Sequence, residues 1–175
     1  MDLAKAIFLH TVRVEFHISR TGYGSMPKTH RALGLSITYP DNWQVTEETE
    51  NEEAGGYELQ GPTGAFLSVY PCPQPTSPKR AIVQATEAIA SDYDNVESEV
   101  FFPELSSSSG LLTDVHGREL YFYYLDLLVR AKLIAFEIPD QTILVHIQAE
   151  DSDFRSLEKV FDAMLLTLCQ SIDRR

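Results

Sequence analysis

A chain of 175 residues, 43% hydrophobic and 23% charged, with eight tyrosines and nine phenylalanines, has the composition of a folded protein and the length of one domain. Its formal charge of -12 weighs against the phosphate-neutralising surfaces on which nucleic-acid binders depend, so neither DNA nor RNA is an expected partner. The charge is uneven: residues 1–34 hold five cations against two carboxylates, and everything after them is strongly acidic. Residues 1–34 therefore read as an N-terminal strand and loop extension, with Met26 as an alternative start, and residues 35–175 as the domain proper.

Cys72 and Cys169 form no CxxC pair and have no closely spaced histidine, so a reduced compartment is expected and a zinc knuckle is not. The opening "MDLAKAIFLH" has an apolar run too short for a signal sequence or a membrane span. A cytoplasmic chain without membrane insertion is the expectation.

In chain order, Phe8 to Ser19 alternates apolar Phe8, Val12, Val14, Phe16 and Ile18 with polar neighbours and predicts a half-buried strand. "RTGYGSMPKTHRALG" reads as a loop; Gly22-Tyr23-Gly24 lacks the further glycine, lysine and helix of a phosphate loop. "LSITYP" and "NWQVTEE" are predicted strands about the turn Pro40-Asp41-Asn42, and "ETENEEAGG" a charged hairpin tip. Two more strands in "YELQGPTGAFLSVYPCP" turn at Gly61-Pro62-Thr63-Gly64. A helix follows, with Ser77 as N-cap, Pro78 in the first turn, and Ile82, Ala85, Ile89 and Tyr93 on one stripe.

"VESEVFFPEL" predicts a strand and "SSSSG" a loop. Three or four strands then come with hairpin turns at His116-Gly117 and Pro139-Asp140. "RELYFYYLDL", apolar on both faces, predicts a central strand covered on both sides. The last helix carries Phe154, Leu157, Phe161, Met164, Leu165, Leu168 and Ile172 at helical spacing, with Asp151 and Ser152 as candidate caps and Asp153 facing the dipole. Antiparallel strands with two amphipathic helices and no regular alternation give an α+β class, an antiparallel β-sheet sandwiched by helices.

The order "ITYPDNWQV", "GYELQGPTGAFLSVYP", "SPKRAIVQATEAI" and "HGRELYFYYLDLLVRAKLIAFEIPDQTILVHIQAEDSDFRSLEKVFDAML" resembles the PsbP-like superfamily, from about Leu35 to Ile172. That group has an antiparallel sheet between helices. It includes an extrinsic photosystem subunit, a Ran-binding nuclear import factor and chaperones of secretion effectors. The resemblance implies an α/β/α sandwich. Its matching features, a Tyr-Pro-x-x-Trp turn, a hairpin glycine and an acidic entry to the last helix, are structural, so Trp43 reads as an anchor of the fold.

No residue pattern forces a chemistry. Glu47, Glu48, Glu50, Glu52 and Glu53 lack the spacing of a calcium loop. Glu150, Asp151 and Asp153 fit a helix start. His10, His17, His30, His116 and His146 show no ligand spacing, and Ser106 to Ser109 lack a GxSxG context. Cys169 reads as a packed thiol. Neither a catalytic residue nor a cofactor or metal is expected.

One surface stands out. Strand alternation puts Arg130 and Lys132 on one face, and His146 and Gln148 opposite Ile143, Val145 and Ile147. If these faces coincide, they form a mixed cationic and apolar patch that Tyr121 and Tyr123 extend. The expectation is a non-catalytic protein-binding adaptor or chaperone with a protein partner. The alternatives are an enzyme or small-ligand binder with a pocket between sheet and helices, and a homo-oligomer joined through the N-terminal strand.

Overall fold

The computed structural model describes residues 26–47, 55–105 and 108–174. The expected strand Phe8–Ser19, the Gly22-Tyr23-Gly24 loop and the glutamates from Glu48 to Glu53 lie outside the described residues. Among the described residues nine strands and two helices follow one another: β1 (Lys28–Ala32), β2 (Leu35–Tyr39), β3 (Gln44–Glu47), β4 (Tyr57–Gln60), β5 (Phe66–Pro71), α1 (Pro78–Asp92), β6 (Glu97–Phe101), β7 (Thr113–Tyr124), β8 (Leu127–Ile138), β9 (Gln141–Glu150) and α2 (Asp151–Ile172).

Seven strands form one antiparallel sheet in the order β3-β4-β5-β9-β8-β7-β6, and β1 and β2 form a separate hairpin. Helix α1 packs on one face against β7, β8 and β9. Helix α2 packs on the other face against β8 and β9, with β2 along its flank. This is the α+β sandwich that the sequence predicts.

Each layer follows from its pattern. Ala81, Ile82, Ala85 and Ile89 bury the stripe of α1 against Leu120, Phe122, Ala131 and Leu133. Ser77 caps that helix by accepting a hydrogen bond from the Arg80 amide at 3.4 Å. On the other face, Phe154, Phe161, Met164, Leu165 and Leu168 of α2 meet Ile134, Val145 and Ile147. Trp43 is buried there, 3% exposed, with its ring edge-on to Phe161 at 5.8 Å. Gly61 lies under the indole, where a Cβ would come within 2.9 Å of Trp43 Cε2. Trp43 is the anchor expected of it.

The structure corrects five local readings. Residues Lys28–Ala32, expected as loop, are β1. They pair with β2 through Leu33-Gly34, whose φ values of 57° and 67° suit a tight primed turn. β2 accordingly hairpins with β1, while β3 joins the large sheet. Two amides of β2 are taken by α2: Ser36 N–H donates to Ser171 Oγ at 3.0 Å and Thr38 N–H to Thr167 Oγ1 at 2.9 Å, which satisfies an edge that would otherwise attract another strand.

His116-Gly117 is not a turn. β7 runs through it, with an irregularity between Thr113 and His116. Gly117 serves close approach instead, since a Cβ there would meet Pro103 Cγ at 2.7 Å. The actual β7–β8 turn is Leu125-Asp126, with φ of 47° and 65°. "RELYFYYLDL" therefore contains a strand end and a turn, and β7 lies next to the edge strand β6 rather than at the centre. Finally, α2 is capped by Glu150, which accepts from the Asp153 amide at 3.4 Å, whereas Asp151 is paired with Arg155 one turn on.

Candidate partner-binding face

Residues directly opposite in antiparallel strands point to the same face, so the register decides which candidates meet. Tyr121 pairs with Arg130, Glu119 with Lys132, and Lys132 in turn with Ile147. Tyr121, Tyr123, Arg130 and Lys132 thus share the α2 face of the sheet. His146 pairs with Leu133 and Gln148 with Ala131, which places both on the α1 face. The single six-residue patch is corrected to two groups on opposite sides of the sheet. His146 is buried beside Phe66, ring centroids 5.1 Å apart, in a polar row where Ser68 donates to Glu58 at 3.1 Å.

The four residues on the α2 face lie where the helix stops covering the sheet. One register row shows the change: Val45, Leu59, Leu67, Ile147, Lys132, Glu119 and Glu99 are successive neighbours across seven strands. Its apolar half lies beneath α2 and the β2 strand, and its charged half lies on β8, β7 and β6. Arg130 donates through Nε to Glu119, and its guanidinium sits 4.6 Å from the Phe154 ring centre and 5.8 Å from that of Tyr121. Glu158 reaches down from α2 to Arg130 at 3.8 Å and to Lys132 at 3.5 Å. Lys132 Nζ also stands 5.6 Å from the Phe101 ring centre and 5.4 Å from that of Phe154.

This network holds the cations against aromatic faces. The hydrogen bond and charge of Glu119 raise the Arg130 pKa against the opposing effect of burial, so the guanidinium stays charged. Burial and the neighbouring Glu119 carboxylate raise that of Tyr121, so its hydroxyl stays protonated. Beyond them Tyr123 stands 65% exposed, and Leu125 and Leu127 at the hairpin tip are exposed as well. Sequence reasoning missed Glu119, Glu158, Phe101 and Phe154. A lone Glu within "RELYFYY" was the available signal, but its partner is defined only by the strand register.

Along α2 this face deepens into a groove of about 520 Å³. Its floor is Lys132, Ile134 and Ile147, one wall is Phe101–Leu105 from the end of β6 onward, and the other is α2 from Phe154 to Cys169. The strap that carries the first wall is fastened at its far end: the Asp173 carboxylate accepts from the amides and hydroxyls of Ser108 and Ser109 at 2.7–3.0 Å. Cys169 lines the groove. Burial raises its thiol to about 11, and that of Cys72 on the opposite side of the sheet to about 12, so both remain protonated near neutral pH. Among the described residues no group of three or more His, Cys, Asp or Glu is placed to hold a metal ion, and no helix is long and apolar enough to cross a membrane.

This architecture is found in solved structures. Cyanobacterial PsbP (CyanoP) from Synechocystis sp. PCC 6803 is similar with a TM-score of 0.54 and 14% identity, over 85% of this chain and 95% of that one. The fold is PsbP-like. Lower similarity extends to PA94 of Pseudomonas aeruginosa, with a TM-score of 0.41, 10% identity, and coverage of 82% and 96% of the two chains. It extends also to LpqN, involved in cell envelope biogenesis of Mycobacterium tuberculosis, at 0.41, 12%, and coverage of 79% and 86%. No protein-family model matches the sequence, and no curated protein matches it significantly. At these identities the PsbP-like likeness is one of fold, and function has to be argued from the surface.

Proposed function

We propose that this PsbP-like domain works without chemistry of its own, as a protein-binding adaptor or chaperone that uses the β6–β7–β8 face beside α2. The observation that supports this reading is the aromatic and cationic row that begins under Phe154 and ends in the exposed Tyr123. Tyrosine and arginine supply contact area and hydrogen bonds at low entropic cost, and they dominate binding energy at protein interfaces. The two thiols lie in separate cores on opposite sides of the sheet, which favours a reduced compartment such as the cytoplasm. A second reading, a small-ligand binder, draws on the groove volume alone. Native mass spectrometry of the purified chain tests it through the presence of a bound small molecule.

The adaptor reading is tested by placing a photo-crosslinking residue at Tyr123 or at Val83, an exposed position on α1, in cells of the source organism. A discrete adduct from position 123 that disappears with Tyr121→Ala, and none from position 83, is expected. Equal adducts from both positions, or none from position 123, overturn the reading.

A further inference from the structure

The groove beside α2 has a largely apolar floor, whose one cation is already engaged, and uncompensated carboxylates at its rim, and we propose that it takes a segment of the partner protein that carries Lys or Arg next to large apolar side chains. This rests on the protein-binding reading above and names the chemistry of the partner. Three carboxylates, Glu104, Glu158 and Asp162, face the groove against one ammonium, Lys132. Lys132 is already engaged by Glu158 at 3.5 Å and by the Phe101 and Phe154 rings, so Glu158 and Lys132 satisfy each other. Glu104 on the strap wall and Asp162 on the helix wall have no ion-pair partner among the described residues. They leave a negative charge on each side of the opening.

Between those charges the surface is apolar. Ile134 and Ile147 form the floor beside the engaged Lys132, and the lips are Phe102, 87% exposed, and Leu166, 57% exposed. Large apolar side chains left outside on both lips show that the surface continues beyond the cleft. That shape suits a polypeptide lying along α2 better than a small molecule, most of whose surface a pocket must enclose. An apolar anion such as a fatty acid would bring its carboxylate to Glu104 and Asp162, with the one ammonium already occupied. A cationic segment gains from both rims, and the net charge of -12 draws it towards the chain as a whole.

The test is an NMR titration of the full chain with a short amphipathic helical peptide of leucine and lysine, beside one in which glutamate replaces every lysine. The lysine peptide should shift the amide signals of Phe101–Leu105 and of α2 from Phe161 to Cys169. Combined Glu104→Gln and Asp162→Asn substitution should weaken its binding about tenfold. The pair Glu87→Gln and Asp94→Asn, exposed on and just after α1 on the other side of the sheet, which removes the same number of charges, should leave it unchanged. Equal loss in both pairs, or shifts outside the groove, means attraction to net charge alone and overturns the proposal. If the glutamate peptide fills the groove as tightly, the charge assignment falls while the protein-binding reading stands. If neither peptide reaches the groove, the proposal falls whatever the crosslinks at Tyr123 show.

Discussion

Two halves of the same sheet face, one on β3, β4, β5 and β9 and the other on β8, β7 and β6, differ sharply. Beneath α2, the row Val45, Leu59, Leu67 and Ile147 is apolar and mostly buried, with Trp43 and Phe161 packed edge to face above it. From the next strand on, the same row continues as Lys132, Glu119 and Glu99, and its neighbours are Arg130, Tyr121 and Glu97. The difference comes from the seat of one helix. α2 leaves β9 directly and shares its breadth with the β1–β2 hairpin, so the combined layer spans the β3 side of the sheet and ends over β8. The first half is core; the second is the surface proposed for recognition.

Substitutions should separate the halves. Trp43→Ala should have the largest effect, a loss of about 3–5 kcal/mol in urea unfolding, because it empties a fully enclosed site. Glu119→Leu should come next, costing roughly 1–3 kcal/mol by leaving a mostly buried Arg130 with only the more distant Glu158. Adding Arg130→Leu should return most of that loss, since a partly buried pair contributes little net stability over an apolar one. A double variant as unstable as the sum of the singles would mean that Arg130 stabilises the fold through its stacking on Phe154.

Smaller still is the cap of α2. Hydrogen bonds from Ser152 and from the backbone hold the Glu150 carboxyl below the usual carboxylate range. A depressed folded-state pKa stabilises the fold above the ordinary carboxylate pKa, and the contribution is lost as pH falls through the folded value. Glu150→Gln should therefore melt slightly below wild type at neutral pH, and the gap should close in acid. A gap that persists in acid would assign Glu150 a role independent of its charge.

The fold was legible because long periodic segments dominate it. The stripe of α2, the capped start of α1 and the turn at Gly61–Gly64 all stand where the pattern placed them. Both missed turns share one cause: leucine occupies the first left-handed position in Leu33-Gly34 and in Leu125-Asp126, where asparagine or glycine is the recognisable signal. Leu33 offsets that strain by packing against the core, whereas Leu125 at the open end remains exposed. His116-Gly117 misled in the opposite sense, because its glycine makes room for Pro103 rather than for a turn. The candidate site was half legible. Alternation along β8 correctly put Arg130 with Lys132, but relating β9 to β8 requires the register, and a shift of one residue exchanges the faces. His146 and Gln148 were misplaced for that reason.

The most direct test of the division between the halves is Tyr123→Ser, measured for partner affinity and melting together. Tyr123 touches solvent at the open end, so stability should stay within about 0.5 kcal/mol of wild type. Affinity for the partner captured at that position should fall on the order of thirtyfold or more, the loss typical of an interface aromatic at a hot spot. Unchanged affinity with unchanged melting would contradict the account and remove this face as the site of recognition.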